Sequence, residues 1–229
     1  MTETLFSLPP ATTIPVRGEA PEYPIGRIFC VGRNYAAHAA EMGVELDREA
    51  PFYFTKSPSH AILSGAEVPI ASGTENYHHE MELVMAIGHH VYQVDRAHAL
   101  DAVYAYGCAL DMTRRDLQNN HKVKRQPWDL GKDVEDSAVF APLVKAEDFG
   151  SPEGKRIHLS VNGEIRQDAV LDDLIWKLDE IVSHLSHYYH LRPGDLILTG
   201  TPAGVGPVVA GDVLTGGIDG LEPIRLTLN

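Results

Sequence analysis

Two carboxylates two residues apart, Glu80 and Glu82, lead into the apolar stretch Leu83-Val84-Met85-Ala86-Ile87. An isolated acid, Asp111, closes a second apolar stretch that runs from Val103 to Leu110. In an extended strand, residues i and i+2 share a face. Glu80 and Glu82 are therefore expected to point the same way at the mouth of a buried strand. Three carboxylates at the edge of a core repel one another and resist ionising. A divalent cation with hard oxygen ligands removes that conflict. The spacing thus predicts a Mg²⁺- or Mn²⁺-type site, against the plainer alternative of solvated acids at strand ends. Zinc is disfavoured, because the chain has neither an HExxH run nor a Cys-x-x-Cys pair. The adjacent His78 and His79 still leave a softer metal open.

The elements that must position these acids are short. Arg27 to Val31 reads as a strand, and Asn34 suits the N-cap of a short helix from Tyr35 to Met42. Phe52-Tyr53-Phe54, Val68 to Ile70 and residues 80–88 read as further strands, and Val103 to Leu110 as a buried strand or a helical turn. Asp95 to Ala102 reads as a short helix, and Thr113 to Lys124 as a polar helix running into a loop. Asn162-Gly163 between two strand-like runs is a strong hairpin signal. Leu196 to Thr199, Val213-Leu214 and Ile224 to Leu228 supply the last strands. One long helix is expected over Asp172–His190, where Leu174, Ile175, Leu178, Ile181, Val182 and Leu185 keep helical spacing. His184, His187 and His190 recur there on what reads as a partly exposed face. The glycine-rich run 200–206 lacks the lysine of a phosphate-cradling loop. Its prolines suggest a rigid turn whose N–H groups face an anion.

Residues 1–24 contain five prolines and read as an extended N-terminal arm, followed by a single catalytic domain over 25–229. The fold class expected is mainly β, mixed α+β. The net charge of −13 argues against a non-specific nucleic-acid binder. An acidic small-molecule substrate requires local cations, for which Arg33, Arg114, Arg115 and Lys132 are candidates. Cys30 and Cys108 lie in apolar runs and read as buried reduced thiols. No apolar run approaches a membrane span of about 18 residues. The start Met1-Thr2-Glu3-Thr4 is unlike a signal peptide, so a cytoplasmic location is expected.

Several segments, in order, resemble the fumarylacetoacetate hydrolase family: Val31-Gly32-Arg33-Asn34-Tyr35-Ala36-Ala37-His38, His78-His79-Glu80-Met81-Glu82-Leu83, and Leu110 through Gln118. Pro127-Trp128 through Lys132, Val161-Asn162-Gly163-Glu164 and Leu198 through Gly206 continue the match. The resemblance implies a mixed β-sandwich roll with one long helix, a homodimer, and one Mg²⁺ or Mn²⁺ per subunit. It implies action on α-keto acids and related dicarbonyl compounds. Within the family the chain resembles the short single-domain acylpyruvate hydrolases. The Pro-rich start and Phe52-Tyr53-Phe54-Thr55-Lys56 resemble members that cleave fumarylpyruvate to fumarate and pyruvate in aromatic-acid breakdown by the gentisate route.

Carried over residue by residue, the resemblance makes Glu80, Glu82 and Asp111 the metal ligands. It makes His38 and Glu41 a water-activating pair on a lid, closing when substrate is bound. Without the resemblance, that pair reads as an ordinary surface His–Glu contact. Lys132 is implied as the stabiliser of the oxyanion formed on the remote carbonyl. The chain departs from the family pattern there: Gly131 stands in place of Ala, and Asp133-Val134-Glu135 in place of a Ser-Phe-Asp-like run. These acids could hold Lys132 protonated or draw it from the substrate. Arg115 and Gln118, with Thr201, are implied to bind the substrate carboxylate. Arg114 is expected outward or bound to an acid, and Arg33 and Lys56 are equally structural or near the lid. Two alternatives remain at this level. One is oxaloacetate decarboxylation or enol-diacid isomerisation or tautomerisation at the same metal. The other is non-catalytic binding of a small acid.

Overall fold

The computed structural model describes residues 5–6, 10–41 and 50–229, with the backbone alone for 39–41. The central element is a sheet whose strands run in the order Phe52–Lys56, Arg27–Gly32, Asp195–Leu198, Met81–Ile87, Val103–Asp111, Ala138–Phe140, Ala61–Leu63. The short strand Val144–Lys145 pairs off this path with Val103–Asp111. Two neighbour pairs are parallel and the others antiparallel.

The sheet curls. Six of its seven strands in line contribute to one cluster that includes Ile28, Cys30, Ala61, Val84, Ala86, Ala105, Ala109, Ala138, Phe140, Leu196 and Leu198, and Phe54 of the seventh packs against it. Many of these are small, as a narrow concave interior demands. Successive residues alternate between faces. Hence Leu83, Met85, Ile87, Cys108 and Leu110 point to the convex side and join the larger cluster. That cluster is completed by the five-stranded sheet Glu164–Val170, Arg156–Val161, Val213–Ile218, Ile224–Leu228, Glu67–Val68 and by the helix Leu178–Ser186. Both faces of Met81–Ile87 are buried, so beyond Glu82 its sequence reads as an unbroken apolar run rather than an alternating one.

The Pro-rich segment is more than an extended arm. Thr13–Ile14 pairs with Tyr23–Pro24, and Ile14, Val16, Tyr23 and Ile25 are buried in the concave cluster. The Tyr23 hydroxyl lies 2.8 Å from the Ile87 carbonyl and 3.0 Å from the Asp195 carbonyl, which share its one proton, so this hairpin closes one end of the roll. Glu82, Asp111 and Leu198 lie toward the opposite end of the same strands.

The long helix expected over Asp172–His190 is not continuous. Leu171–Asp173 is a 3₁₀ turn, and only Leu178–Ser186 is α-helical. Asn34 is the reason. Its side-chain oxygen accepts from Trp176 N–H at 2.7 Å and its carbonyl from Ile175 N–H at 2.8 Å. Those donors are withdrawn from any helical ladder. Lys177 N–H, capped by Glu180 at 2.9 Å, restarts it. The same contacts overturn the N-cap expected of Asn34. Its amide NH₂ donates to Trp176 and Thr199 carbonyls, tying the helix Ala36–Glu41 to two distant segments. Arg115–Lys124 is, at ten residues, the longest α-helix among those described.

Candidate active site

Glu82 pairs with Ala109 across two antiparallel strands, and Asp111 N–H donates to the Glu80 carbonyl at 2.9 Å. That register sets Asp111 opposite Glu80 and diagonal to Glu82, all on the concave face. Partners directly opposite on such a pair stand about 4.5–5.5 Å apart at Cβ. One ligand oxygen from each of the three buried acids lies within 4.8 Å of the others. The i, i+2 reading of Glu80 and Glu82 therefore holds. What brings the third acid in is the strand register, invisible from spacing.

Three buried cations surround the acids unevenly. Lys132 Nζ donates to Glu80 Oε2 at 2.7 Å, to Asp111 Oδ2 at 2.6 Å and to Thr113 Oγ1 at 2.8 Å, using all three of its protons. Arg115 bonds Glu80 Oε1 and, at 2.6 Å, Gln118 Oε1. Lys56 Nζ lies 2.9 Å from Asp111 Oδ1, but out of hydrogen-bonding alignment, which leaves that buried oxygen with no donor aimed at it. Among the described residues no cation forms an ion pair with Glu82, whose one hydrogen bond there is from Gly200 N–H at 2.7 Å.

The protonation tendencies follow. Burial, then the neighbouring Asp111 and Glu80, push the Glu82 carboxyl well above the usual range. Burial acts the same way on Glu80, but Lys132 and Arg115 outweigh it and hold that carboxyl below the usual range. The expected resistance to ionisation is therefore met at Glu82 and reversed at Glu80. An orphaned carboxylate oxygen, a carboxylate without a counter-ion and an all-oxygen donor set fit a hard divalent cation. His78 and His79 do not join the set. His79 contacts Gln167 Oε1 at 3.2 Å, and His78 contacts Asn76 at 2.8 Å.

Other expected residues converge on the cleft that the three acids line. His38, Arg115, Gln118, Lys132 and Thr201 all line it. His38 is buried in the described structure and close enough to Glu80 to lower its carboxyl pKa. The Glu41 side chain lies outside the described residues, so its pairing with His38 stays a proposal. The acids flanking Lys132 do not reach it. Asp133 accepts from Ser57 N–H and Oγ–H at 2.7 and 2.6 Å and contacts His60 at 2.7 Å, and Glu135 is exposed. Gly131 allows the turn Asp129–Lys132 to press on the helix behind it, since a Cβ there would stand 2.9 Å from Gln118. Arg114 bonds the Leu130 carbonyl rather than an acid. The glycine-rich run does present an N–H to an anion, but the anion is the chain's own Glu82.

Two buried groups escaped the sequence reading of this site. Lys56, with equal weight between structure and lid, proves to back Asp111 and to donate to Met112 O and Ser137 Oγ at 3.1 and 2.7 Å. Gln167 was absent altogether. It accepts from Met81 N–H at 3.0 Å and donates to Thr201 Oγ1 and Pro202 O, each at 2.8 Å. A bulge in the hairpin puts it there: Ile165 faces Ser160 but Gln167 faces Leu159, so Arg166 is the extra residue and Gln167 turns inward. Gly204 crosses over the bulge at φ 92°, where a Cβ would meet the Arg166 carbonyl at 1.9 Å. The only signal for Gln167 was a polar residue next to the hairpin.

The model of the fumarylacetoacetate (FAA) hydrolase C-terminal family matches residues 27–229. A fumarylpyruvate hydrolase of Ralstonia sp is 48% identical over 189 residues, 82% of this chain and 98% of that protein. An oxaloacetate tautomerase of Escherichia coli (strain K12) is 38% identical over 205 residues, 89% of this chain and 93% of that protein. The crystal structure of fumarylpyruvate hydrolase from Pseudomonas aeruginosa, in complex with Mn²⁺ and pyruvate, is similar with a TM-score of 0.94. It is 42% identical and covers 99% of both chains.

Proposed function

The chain belongs to the fumarylacetoacetate hydrolase family, and from that membership we propose that it is a divalent-metal-dependent C–C hydrolase that cleaves fumarylpyruvate to fumarate and pyruvate. The observation that carries this reading is the convergence of three buried carboxylates with His38 and Lys132 on one cleft. Similarity to two fumarylpyruvate hydrolases supports the choice of acyl group. The family resemblance adds a role in aromatic-acid breakdown and a cytoplasmic homodimer to the proposal.

Glu80, Glu82 and Asp111 would hold Mg²⁺ or Mn²⁺, which supplies Lewis-acid stabilisation for the negative charge that develops as the C–C bond breaks. Arg115, Gln118 and Thr201 orient the α-keto acid end through its carboxylate. His38, oriented by Glu41, takes a proton from water, whose oxygen adds to the carbonyl remote from that carboxylate. The resulting oxyanion takes a hydrogen bond from Lys132. For this, Lys132 re-aims one of the N–H groups now given to Glu80, Asp111 or Thr113. Collapse of the oxyanion breaks the C–C bond. Its electron pair passes to the pyruvate fragment as the enolate, which a proton converts to pyruvate. These interactions strengthen in the transition state and so act on the rate.

A second reading, oxaloacetate tautomerisation or decarboxylation, is favoured by similarity to the Escherichia coli tautomerase. It uses the metal ligands but needs no attacking water. Purified protein with Mg²⁺ or Mn²⁺ should release pyruvate from fumarylpyruvate faster than from a simple acylpyruvate. Intact fumarylpyruvate alongside turnover of oxaloacetate would replace the first reading by the second.

A further inference from the structure

Arg115 and Lys132 are committed to the site's carboxylates, but two more cations line the same cleft without such partners. Arg33 and Lys122 both face it, and among the described residues neither forms an ion pair with a carboxylate. In a chain of net charge −13 with surplus acids, this pairing of like charges is uncompensated. Partial burial, with Arg33 and Arg115 nearby, lowers the Lys122 pKa, so the cations feel one another. Repulsion of this kind favours an anion between them.

Arg33 is also held in place at a cost. It is a non-glycine residue at φ 60°, in the left-handed region, where the strand Arg27–Gly32 gives way to the helix Ala36–Glu41. Its guanidinium stands over the Trp128 ring at 5.6 Å and the Phe52 ring at 6.0 Å. The preceding Gly32 makes room for Phe52, whose ring a Cβ there would meet at 2.4 Å. Backbone strain and an aromatic platform thus place an exposed charge that, among the described residues, no acid neutralises. The space beyond Phe54 and Trp128 would suit a carboxylate poorly. That second chamber is walled by Phe29, Tyr53 and Tyr189, contains Asp129, and offers no cation besides Lys132.

We propose that Arg33 and Lys122 form a second anion subsite on the outer wall of the cleft, which takes the carboxylate at the far end of a dicarboxylic acyl chain. The assignment of the far end rests on the acylpyruvate reading, in which the α-keto acid end lies against Glu80, Glu82 and Asp111. The apolar middle of the chain then lies along Phe54 and Trp128. The subsite makes the enzyme selective for doubly charged substrates over acylpyruvates with a neutral tail.

The test compares fumarate with crotonate, the same chain with one carboxylate replaced by methyl, by titration calorimetry on the Mn²⁺-loaded protein. Arg33→Met and Lys122→Met are measured beside it, and cleavage of fumarylpyruvate is assayed separately. Fumarate should bind about 10- to 100-fold more tightly than crotonate, the range of a charge-assisted contact. Each variant should erase most of that preference while changing crotonate affinity by less than about threefold. Equal binding of the two acids by the unsubstituted protein overturns the proposal and requires no variant to fold. Loss of both affinities alike in the variants also overturns it. Absent cleavage with the fumarate preference intact would remove the hydrolase reading and leave the subsite standing. Cleavage without the preference would do the reverse.

Discussion

Replacing Gln167 by methionine tests whether this residue, remote from the chemistry, positions the site. The side chain is fully buried, and methionine nearly matches its volume, so packing changes little. The polar contacts change a great deal. Gln167 Oε1 accepts from Met81 N–H, while Nε2 donates to Thr201 Oγ1 and Pro202 O. The amide orientation is set by these partners, since a flipped amide would oppose NH₂ to an N–H donor. His79 Nδ1 must then carry the proton it offers to Oε1.

The substitution orphans two buried N–H groups, those of Met81 and His79, at about 1–3 kcal/mol each, and removes a donor from two oxygens, at about 0.5–1.5 kcal/mol each, so the low end of the sum is about 3 kcal/mol. Thr201 keeps its own bond to the Met81 carbonyl, which limits the damage. A total near 3 kcal/mol lowers the melting temperature of a chain this size by about 6–12 °C. Met81 lies between Glu80 and Glu82, so Mn²⁺ affinity should fall by about tenfold, as losses behind metal ligands do. Scanning calorimetry reads the first effect and titration calorimetry the second. A variant melting within about 2 °C of the parent, with unchanged Mn²⁺ affinity, would refute the positioning role.

Three further outcomes are expected. Asp111→Asn removes a proposed ligand that holds the orphaned Oδ1, and should abolish measurable Mn²⁺ binding and lower kcat by about 100-fold or more; wild-type Mn²⁺ affinity in this variant would contradict the assignment. His38→Ala should slow fumarylpyruvate cleavage by about 10²–10⁴-fold while sparing oxaloacetate turnover, because only cleavage needs an activated water; equal loss on both substrates would count against that division. Burial alone would raise the Asp133 pKa, but bonds from Ser57 and His60 outweigh it and hold it below the usual range. A carboxyl depressed on folding contributes stability above its unfolded pKa of about 3.9. That stability is lost as pH falls through the folded value, so Asp133→Asn should flatten the acid limb of urea-unfolding stability below about pH 5; an unchanged limb would show the contribution to be absent.

The strands Arg27–Gly32, Met81–Ile87 and Val103–Asp111, the Asn162-Gly163 hairpin and the three acids were legible in the sequence, because each depends on local alternation, turn chemistry or a polar residue at the edge of an apolar run. The shared family segments extended that reading to His38, Lys132, Arg115, Gln118 and Thr201, all of which line one cleft. Errors arose where distant groups competed for local ones. Leu171 and Leu174 keep helical spacing because both are buried, yet Asn34 takes the N–H groups that a helix from Asp172 would need. The acids at 133 and 135 looked threatening to Lys132 in sequence, but Ser57 and His60 hold Asp133 elsewhere.

Composition, periodicity and motif order by themselves determined a mainly β chain with acids set to hold a hard cation. Only the tertiary structure decided which charges meet. Asp111 reaches Glu80 through strand register, Lys56 reaches Asp111 because the sheet curls, and Gln167 turns inward because one bulged residue shifts the alternation. Register, curvature and bulges are set by contacts between segments far apart in the chain, so no local pattern encodes them.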